Sequence, residues 1–399
     1  MTSPDGRVLV VNAGSSSVKY QLLQSDSGEV LAKGLIEQIG ESSGGKHRHT
    51  VAGTDNTRTG EIGDMTAALA SMAAAFADFG PDLDAEPPMA VGHRVVHGGT
   101  RFSATTRITA ATTDAIRDLI PLAPLHNPAN LAGIEAALAQ FPDVPQFAVF
   151  DTAFHSTLPA AAYTYAVPKV WREDYHVRRY GFHGTSHHYV SARVSALMGR
   201  ADLATIVLHL GNGCSACAVL DGESVETSMG MTPLEGLVMG TRCGDIDPAV
   251  PFHLARTEGL DVDQLDTALN KQSGLLGLTG DNDFRTIAER AAAGDREAQA
   301  AIDVVVHRLV KYVGAYAAVL GRLDAIAFAG GIGEHNAALR AAVLGRLGIL
   351  GVEVDAAANE GADGEALLTT PASRVAAFVI PTNEELQIAR ECLEHLESP

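Results

Sequence analysis

The 399-residue sequence has few cationic side chains for its size, with 29 Lys and Arg against 48 Asp and Glu and a formal net charge of −19. General affinity for nucleic acid or for an anionic membrane requires a surplus of Lys and Arg, so the composition argues against both kinds of partner. An anionic ligand of this protein must therefore be held by a small number of locally placed cations.

Cysteine and long hydrophobic runs are also scarce. The four cysteines are too few for a disulfide framework, and the single CxxC spacing, Cys214 to Cys217, lies in a strand-like stretch. No run of 18 apolar residues occurs, and the start of the chain shows no signal region, so we expect a cytoplasmic protein. Apolar residues make up 46% of the sequence. A chain of this length and apolar content predicts two or three domains with buried cores.

One pattern occurs twice in the sequence, at residues 8–23 and 206–220. In each range an apolar strand is followed by a tight turn that contains Asn and Gly with Ser in or just after it, and then by a second strand. Such turns direct backbone N–H groups outward with no Cβ in the way, and their hydroxyls add donors, so each can cradle a phosphate. The first turn offers Asn12, Ser15, Ser17 and Lys19, although an ordinary hairpin remains an alternative for that segment alone. The repetition favours a duplicated, two-lobed phosphotransferase.

A third glycine-rich turn, residues 329–334, follows the apolar strand at residues 325–328 and precedes a helix expected from Ala337. Glycines in that position let the backbone approach a base and ribose closely. Apolar strands alternate with Ala-rich helical segments along the chain, which predicts α/β layering. Thr382 and Glu385 have the spacing of a capping box, so a last helix is expected from Asn383 to Leu396.

Four charged residues lie next to glycines or at the ends of predicted elements. Arg94 and Arg242 each lie among glycines, where a guanidinium suits a carboxylate or phosphoryl oxygen, although a surface salt bridge is the alternative for either. Asp151 follows a strand and Glu384 begins the last helix. Both can be ligands of Mg²⁺ or of its water, although such residues are more often helix caps or solvated carboxylates.

Eight motifs together resemble the acetate kinase family, and the resemblance runs from residue 7 to about residue 391. They are NAGSSSVKY (12–20), GHRVVHGG (92–99), FDTAFH (150–155), YGFHGTSH (180–187), HLGNG (209–213), MTPLEG (231–236), GTRCGDID (240–247) and PTNEEL (381–386).

The resemblance implies the actin-like ATPase fold of the acetate and sugar kinase, heat-shock protein and actin superfamily. Its two lobes carry duplicated βββαβαβα cores with the active site in a cleft between them. We expect an N-terminal lobe of residues 1–151, with a C-terminal helix of residues 383–399 packing back on it, and a nucleotide-binding lobe of residues 152–382. The implied reaction is reversible, direct transfer of the ATP γ-phosphoryl group to acetate, giving acetyl phosphate and ADP. Mg²⁺, with Mn²⁺ as an alternative, is the implied metal, and a homodimer is the implied assembly.

Site residues follow from the resemblance motif by motif. Asp151, His183 and Arg242 would act on the transferring phosphoryl group, and Asn12 and Glu384 would hold the metal. The substrate would meet Arg94 and a small apolar pocket of Val96, Leu125, Phe182 and Pro233. The nucleotide site would comprise Ser15, Ser17, Lys19, His209, Leu210, Gly211, Asn212, Gly213, Asp283, Phe284, Arg285, Gly331, Ile332, Gly333, Glu334 and His335.

Three positions depart from the usual family pattern. His335 stands where Asn is usual, and Cys214 and Cys243 replace residues that are commonly Ser, which puts one nucleotide contact, one phosphate contact and one supporting contact in doubt. Two other functions stay open: a propionate or butyrate kinase of the same superfamily, and an actin-like nucleotide switch. A switch has no need of a carboxylate clamp, so Arg94 and Arg242 argue against it.

Overall fold

The computed structural model describes residues 6–397, which divide into two compact units. The first unit contains residues 6–154 and 383–397, and the second contains His155–Thr382. Each unit is built on one mixed β-sheet with helices packed against it, as the expected α/β fold class requires. Within residues 6–397, every helix is too short or too polar to cross a lipid bilayer.

The strands form an eight-stranded sheet in the first unit and a six-stranded sheet in the second. The strands of the first are β1 (Arg7–Ala13), β2 (Ser17–Gln24), β3 (Val30–Glu37), β4 (Gly45–Val51), β5 (Thr54–Gly60), β6 (Ala90–Val95), β7 (Thr106–Arg107) and β8 (Gln146–Phe150). Those of the second are β9 (Ala204–Leu210), β10 (Cys214–Leu220), β11 (Glu223–Thr227), β12 (Ala325–Ala329), β13 (Ala366–Leu367) and β14 (Ala376–Val379).

The α-helices range from single turns to the 25-residue α11. They are α1 (Met65–Phe79), α2 (Ala110–Asp118), α3 (Asn127–Gln140), α4 (Ala160–Tyr163), α5 (Lys169–Glu173), α6 (Gly184–Met198), α7 (Ala249–Thr257), α8 (Val262–Lys271), α9 (Gly274–Thr279), α10 (Phe284–Ala292), α11 (Arg296–Leu320), α12 (Gly330–His335), α13 (Ala337–Leu344), α14 (Ala356–Glu360) and α15 (Glu384–Glu397).

Both sheets contain the same five-stranded arrangement, which confirms the predicted duplication. In the first unit the order is β3-β2-β1-β6-β8, and in the second it is β11-β10-β9-β12-β14. In each, the first two strands of the chain form an antiparallel hairpin, and the next two core strands add to the other side in parallel. Because parallel strands share a direction, their carboxyl ends meet at one edge of each sheet, where binding residues collect in open α/β sheets.

The sheet of the first unit is covered on both faces. Alternation along β1 sends Leu9 and Val11 into the core with α1, and Val8 and Val10 into the core with α15. Gly92 on β6 allows α15 to pack closely on the sheet, because a Cβ there would lie 2.6 Å from Ile388 and 2.8 Å from Cys392 of α15. The C-terminal helix therefore completes the first unit.

Two local expectations are wrong. The amide oxygen of Asn383 accepts a hydrogen bond from the Leu386 N–H (3.0 Å), so Asn383 caps α15, whereas the hydroxyl of Thr382 contacts Ser186 at 2.7 Å. The expected turn at residues 329–334 is largely helical, since α12 begins at Gly330. The expected continuation of this helix through residue 399 lies outside the described residues, which end at residue 397.

Candidate active site

The turn between β1 and β2 forms the first predicted phosphate cradle. Asn12 is paired with Lys19 across the hairpin, and the N–H of Gly14 donates to the carbonyl of Ser17 at 2.8 Å. Ser15 is exposed at the tip of this turn. The Nζ of Lys19 lies 2.5 Å from Oε1 of Glu385 on α15. An ion pair of an exposed lysine is weak, so an incoming phosphate can compete for this ammonium group.

Arg94, at the end of β6, is held by the carboxylate that follows β8. Its Nε and Nη2 donate to the two carboxylate oxygens of Asp151 at 2.9 and 2.7 Å, a bidentate pair in which Asp151 is only 2% exposed. Burial raises the pKa of Asp151, and the charge and hydrogen bonds of Arg94 oppose that rise. The pair orients one edge of the guanidinium and leaves Nη1 to meet another group.

Glu384, on the first turn of α15, is a second carboxylate beside Arg94, with Oε2 3.8 Å from Nε. Burial lowers the pKa of Arg94, but Asp151 and Glu384 outweigh this and raise it. One guanidinium thus faces two carboxylates, which leaves excess negative charge in this part of the first unit.

The donor chemistry around Glu384 fits a hard divalent cation. Asn12 and Glu384 supply amide and carboxylate oxygens, which Mg²⁺ prefers. Residues 6–397 contain no group of three or more His, Cys, Asp or Glu side chains able to hold a metal. Mg²⁺ is usually bound through one or two protein carboxylates, with water and phosphate oxygens completing its coordination shell.

Buried amides that the sequence analysis missed fix the loop after β6. Asn130 accepts from the N–H of Val96 (3.0 Å), Asn127 accepts from the N–H of His97 (3.2 Å), and the hydroxyl of Thr152 accepts from the N–H of Gly98 (3.0 Å). This loop carries Val96, one residue of the expected apolar pocket. Leu125, the other pocket residue in this unit, is 53% exposed and lies just before α3.

His183 has an unusual backbone conformation at the start of α6 in the second unit. Its φ is 55°, in the left-handed region that non-glycine residues rarely adopt outside functional or strained positions. Its Nδ1 lies 2.8 Å from the hydroxyl of Ser215, and its ring stacks on His209 with a centroid distance of 4.3 Å. The imidazole is therefore fixed both by a hydrogen bond and by packing.

Arg242 lies beside His183 and is held in a different way from Arg94. Its Nη1 donates to the carbonyl of Pro233 at 2.7 Å, and it has no carboxylate partner within the described part of the chain. Burial lowers the pKa of Arg242. A Cβ placed on Gly213 would lie 3.3 Å from Nη2 of Arg242 and 3.4 Å from Nε2 of His183. The two side chains thus direct their nitrogens at the same glycine of the β9–β10 turn.

Phe182 and Pro233, expected to line the apolar pocket, each accept a hydrogen bond from a side chain of the second unit through their own backbone carbonyl. Phe182 is 1% exposed, and its carbonyl accepts from Nε2 of His155 at 3.0 Å. Pro233 contributes its carbonyl to Arg242. Phe182 therefore offers very little exposed surface to a ligand.

A cavity of about 500 Å³ in the second unit gathers half of the expected nucleotide residues. Its lining is Gly211, Asn212, Asn282, Asp283, Phe284, Arg285, Gly331, Ile332, His335 and Asn336. Asn282 and Asn336 were not expected. Five expected residues of this unit do not line it, namely His209, Leu210, Gly213, Gly333 and Glu334. Ser15, Ser17 and Lys19 belong to the first unit.

Buried contacts fix α12, which carries three of the lining residues, Gly331, Ile332 and His335. Gly330 has a φ of 75°, and a Cβ there would lie 2.7 Å from the carbonyl oxygen of Leu210, so only glycine allows α12 to begin against the end of β9. The fully buried Arg340 donates to the carbonyls of Gly333 (2.9 Å) and Glu334 (2.6 Å). Gly333 and Glu334 thus hold Arg340 through their carbonyls, and the carboxylate of Glu334 also accepts from the N–H of Thr382 at 3.3 Å.

The three departures from the family pattern have defined environments. The thiol of Cys214 donates to the carbonyl of Gly211 at 3.1 Å, and burial raises the pKa of this thiol to about 12. The thiol of Cys243 donates to the carbonyl of Gly244 at 3.2 Å. Both thiols thus interact with backbone within the described structure, while the exposed His335 lines the cavity.

Comparison with known proteins gives one consistent result. The model of the acetokinase family matches residues 7–390. An acetate kinase of Leifsonia xyli subsp. xyli is 56% identical over 390 residues, which cover 97% of this chain and 98% of that protein.

Two solved structures have the same fold over nearly their whole length. The acetate kinase of Porphyromonas gingivalis superposes with a TM-score of 0.94 at 41% identity, covering 98% of this chain and 100% of that one. A propionate kinase from Francisella tularensis subsp. tularensis superposes with a TM-score of 0.91, also at 41% identity, covering 97% and 98%.

Proposed function

Because this chain belongs to the acetokinase family, it is an acetate kinase, a phosphotransferase with a carboxyl acceptor and ATP as co-substrate, and we propose how its residues perform the transfer. The reaction joins two anions. An unperturbed carboxylic acid titrates near pH ~4 to 5, so acetate is already ionised at neutral pH and needs no general base. The barrier arises from repulsion between that carboxylate and the γ-phosphate, and catalysis consists of alignment and charge neutralisation.

The observation that carries the proposal is the pair of donors at Gly213. Arg242 has no carboxylate partner in residues 6–397, and it shares its approach to Gly213 with His183. A cation buried without an acid is costly unless an anion binds it. We propose that these two groups donate hydrogen bonds to the equatorial oxygens of the phosphoryl group during in-line transfer, when negative charge spreads over them.

Arg94 has a different proposed role, which is to orient the acetate carboxylate. Asp151 already holds Nε and Nη2, so the substrate is proposed to meet Nη1. Asp151 then acts through Arg94 as an orienting carboxylate and takes no proton. Asn12 and Glu384 would hold Mg²⁺, or Mn²⁺ in its place, and the bound ion would neutralise phosphate charge. The excess of carboxylates around Arg94 supports a cation at this position.

The cavity lined by Gly211, Asp283 and Gly331 is the proposed site for the base and ribose of ATP or ADP, because its glycines permit close approach. Ser15, Ser17 and Lys19 of the first unit are proposed to contact phosphate. We further propose that the enzyme acts in the cytoplasm as a homodimer.

The acyl substrate is proposed to be selected by an apolar pocket. Val96, Leu125, Phe182 and Pro233 are proposed to surround its methyl group, and one extra methylene is worth only about 1–3 kcal/mol of discrimination in an apolar pocket. A propionate kinase is as similar to this chain, at 41% identity, as the solved acetate kinase. We therefore propose acetate as the preferred substrate, with slower use of propionate.

Hydroxylamine trapping of acyl phosphate tests the proposal. The wild-type protein, with ATP and Mg²⁺, is expected to give hydroxamate fastest with acetate, more slowly with propionate and slowest with butyrate. The reverse assay, acetyl phosphate with ADP, is expected to give ATP. Hydroxamate formed fastest with propionate would reassign the substrate, and none with any of the three acids would refute the proposed transfer.

A further inference from the structure

The hydroxyl of Ser215 bridges two histidines in the second unit. Its Oγ lies 2.8 Å from Nδ1 of His183 and 2.8 Å from Nε2 of His187. Ser215 and His187 are both fully buried, on β10 and α6 respectively. One hydroxyl has a single proton, so it can donate to only one of the two rings and must accept from the other.

The unused nitrogen of His187 decides the direction of these bonds. Its Nδ1 is buried and has no hydrogen-bond partner among residues 6–397. A proton on that nitrogen would leave a buried N–H donor unsatisfied, whereas a proton on Nε2 is donated to Ser215. His155 and His209 lie near this ring, and burial together with these neighbours lowers the pKa of His187 well below its usual value, so the ring is neutral. The Nε2–H of His187 therefore donates to Ser215.

The orientation of Ser215 follows from this. Since its oxygen accepts from His187, its proton is donated to Nδ1 of His183. That nitrogen is then an acceptor, and in a neutral imidazole the proton must lie on the other nitrogen. Nε2 of His183, together with the adjacent Cε1, would lie 3.4 Å from a Cβ placed on Gly213, and Nη2 of Arg242 would lie 3.3 Å from it.

We infer that Ser215 and His187 are positioning residues that hold His183 as a neutral imidazole with its proton on Nε2, directed at the phosphoryl site. The inference rests on the proposed function, because it specifies how His183 donates in the transfer. Arg242 is then the fixed cation of this donor pair, and His183 is a neutral donor beside it. A neutral ring also avoids placing a second cation between Arg242 and His209, whose ring stacks on His183 at 4.3 Å.

The direct test is ¹⁵N NMR of the protein labelled at histidine ring nitrogens, with the His183 signals assigned from a His183→Gln variant. The wild-type protein at pH 7.5 is expected to show His183 with Nε2 protonated and Nδ1 unprotonated. Protonation of Nδ1, alone or together with Nε2, would overturn the inference. The measurement needs no substrate and no substitution at Ser215.

Ser215→Ala tests the positioning role. Loss of the hydroxyl is expected to let the His183 proton exchange between both ring nitrogens. Because one hydrogen bond contributes about 1 kcal/mol, we expect kcat for acetyl phosphate formation to fall about fivefold, with KM for acetate and ATP nearly unchanged. An unchanged His183 tautomer in this variant would refute the role of Ser215.

Ser224→Ala is the matched control. Ser224 is also fully buried and its hydroxyl also contacts a histidine, His155, at 2.8 Å. We expect the Ser224→Ala protein to lose a similar amount of stability while keeping kcat and the His183 tautomer. Equal losses of kcat in the Ser215 and Ser224 variants would overturn the inference.

His183→Ala distinguishes failure of this inference from failure of the proposed function. If kcat is unchanged in this variant, His183 has no part in the reaction, and the proposed function fails at that residue whatever its tautomer.

Discussion

The two units treat buried polar groups differently. In the first, Arg94 is neutralised by Asp151, and a hydrogen-bonded series links Ser71, His47, Tyr20, His49 and the carbonyl of Gly80, with distances of 2.6–2.9 Å. This series ends at a backbone acceptor. In the second, Arg242 has no carboxylate within the described chain, and the series from His187 through Ser215 ends at His183 beside Gly213.

The difference separates stability from catalysis. A charge that is paired within the fold stabilises it only while both partners are present, and removing one partner leaves a buried ion. A charge held in place without a partner destabilises the fold slightly but is ready for an anion that develops during a reaction. Arg94 is thus a group paired within the fold, whereas Arg242 is proposed to complete its pairing only with the ligand.

The largest expected effect comes from removing one partner of the Arg94–Asp151 ion pair. Arg94→Met should lower the free energy of unfolding by about 3–5 kcal/mol, because Asp151 would remain buried without a cation. Urea unfolding at pH 7.5 measures it. Arg242→Met should change stability by less than about 1 kcal/mol, since no carboxylate is left behind. The double variant Arg94→Met, Asp151→Leu should recover much of the lost stability, and equal losses in the two single variants would contradict the comparison.

Arg242→Met should instead lower activity. Losing one charged transition-state donor typically reduces the rate on the order of 10²- to 10³-fold, so we expect kcat to fall by that factor with a modest change in the KM for acetate. Initial rates in the hydroxamate assay measure both constants. Arg322, an exposed arginine paired with Asp221, provides the control, and its Met variant should keep normal rates. A large rise in KM with kcat retained would mean that Arg242 binds acetate in the ground state.

Gly213→Ala should displace Arg242 and His183 without removing either side chain. The added methyl carbon would lie 3.3 Å from Nη2 of Arg242 and 3.4 Å from the His183 ring, so both must move by a few tenths of an ångström. We expect kcat to fall about tenfold, a loss of ~1.4 kcal/mol in transition-state stabilisation, with unchanged stability. Gly314→Ala on α11, where nothing lies within 4 Å of the new carbon, is the control. Full activity of Gly213→Ala would show that the donors do not act at this glycine.

The smallest effect concerns the histidines of the first unit. Burial, together with His49 and Arg58, lowers the pKa of His47 from 6.5 to about 4. The unfolded state therefore binds a proton first, so the contribution of His47 is fully present above pH ~6.5 and is lost as the pH falls toward 4. Between pH 7.5 and pH 5.5, the free energy of unfolding should therefore fall by about 1 kcal/mol because of His47. Unfolding at pH 7.5 and 5.5 should show a weaker pH dependence in His47→Gln than in the wild type, and identical dependence would contradict the closed series.

Local features of the sequence were sufficient for much of the fold. The Asn, Gly and Ser turns predict both hairpins because those residues determine backbone conformation within a few positions. The repeated strand–turn–strand pattern predicts the duplicated cores, which the two sheets confirm. The start of α15 could not be located as well, because Thr382 and Asn383 are both good caps and only the contact between Thr382 and Ser186, 196 residues apart, distinguishes them.

The partners of the candidate site residues were beyond local reasoning. Arg94 and Asp151 are separated by 57 residues, and both were identified singly as charges next to glycines or strand ends, but their bidentate pairing depends on the parallel register of β6 and β8. Asn130 and Ser215 carry no motif signal of their own, since a buried amide or hydroxyl becomes significant only when the fold brings a backbone group or a ring to it. The proposed roles of the site residues remain predictions.

If His183 and Arg242 act as one unit on the same phosphoryl group, their contributions to kcat are coupled, and a double-mutant cycle measures that coupling. The variants are His183→Gln, Arg242→Met and their combination, each measured at saturating ATP and acetate. Residues that act together give non-additive losses, so the combined loss should fall short of the product of the single losses by at least about tenfold. A combined loss equal to that product would mean that the two donors act independently and would contradict the account.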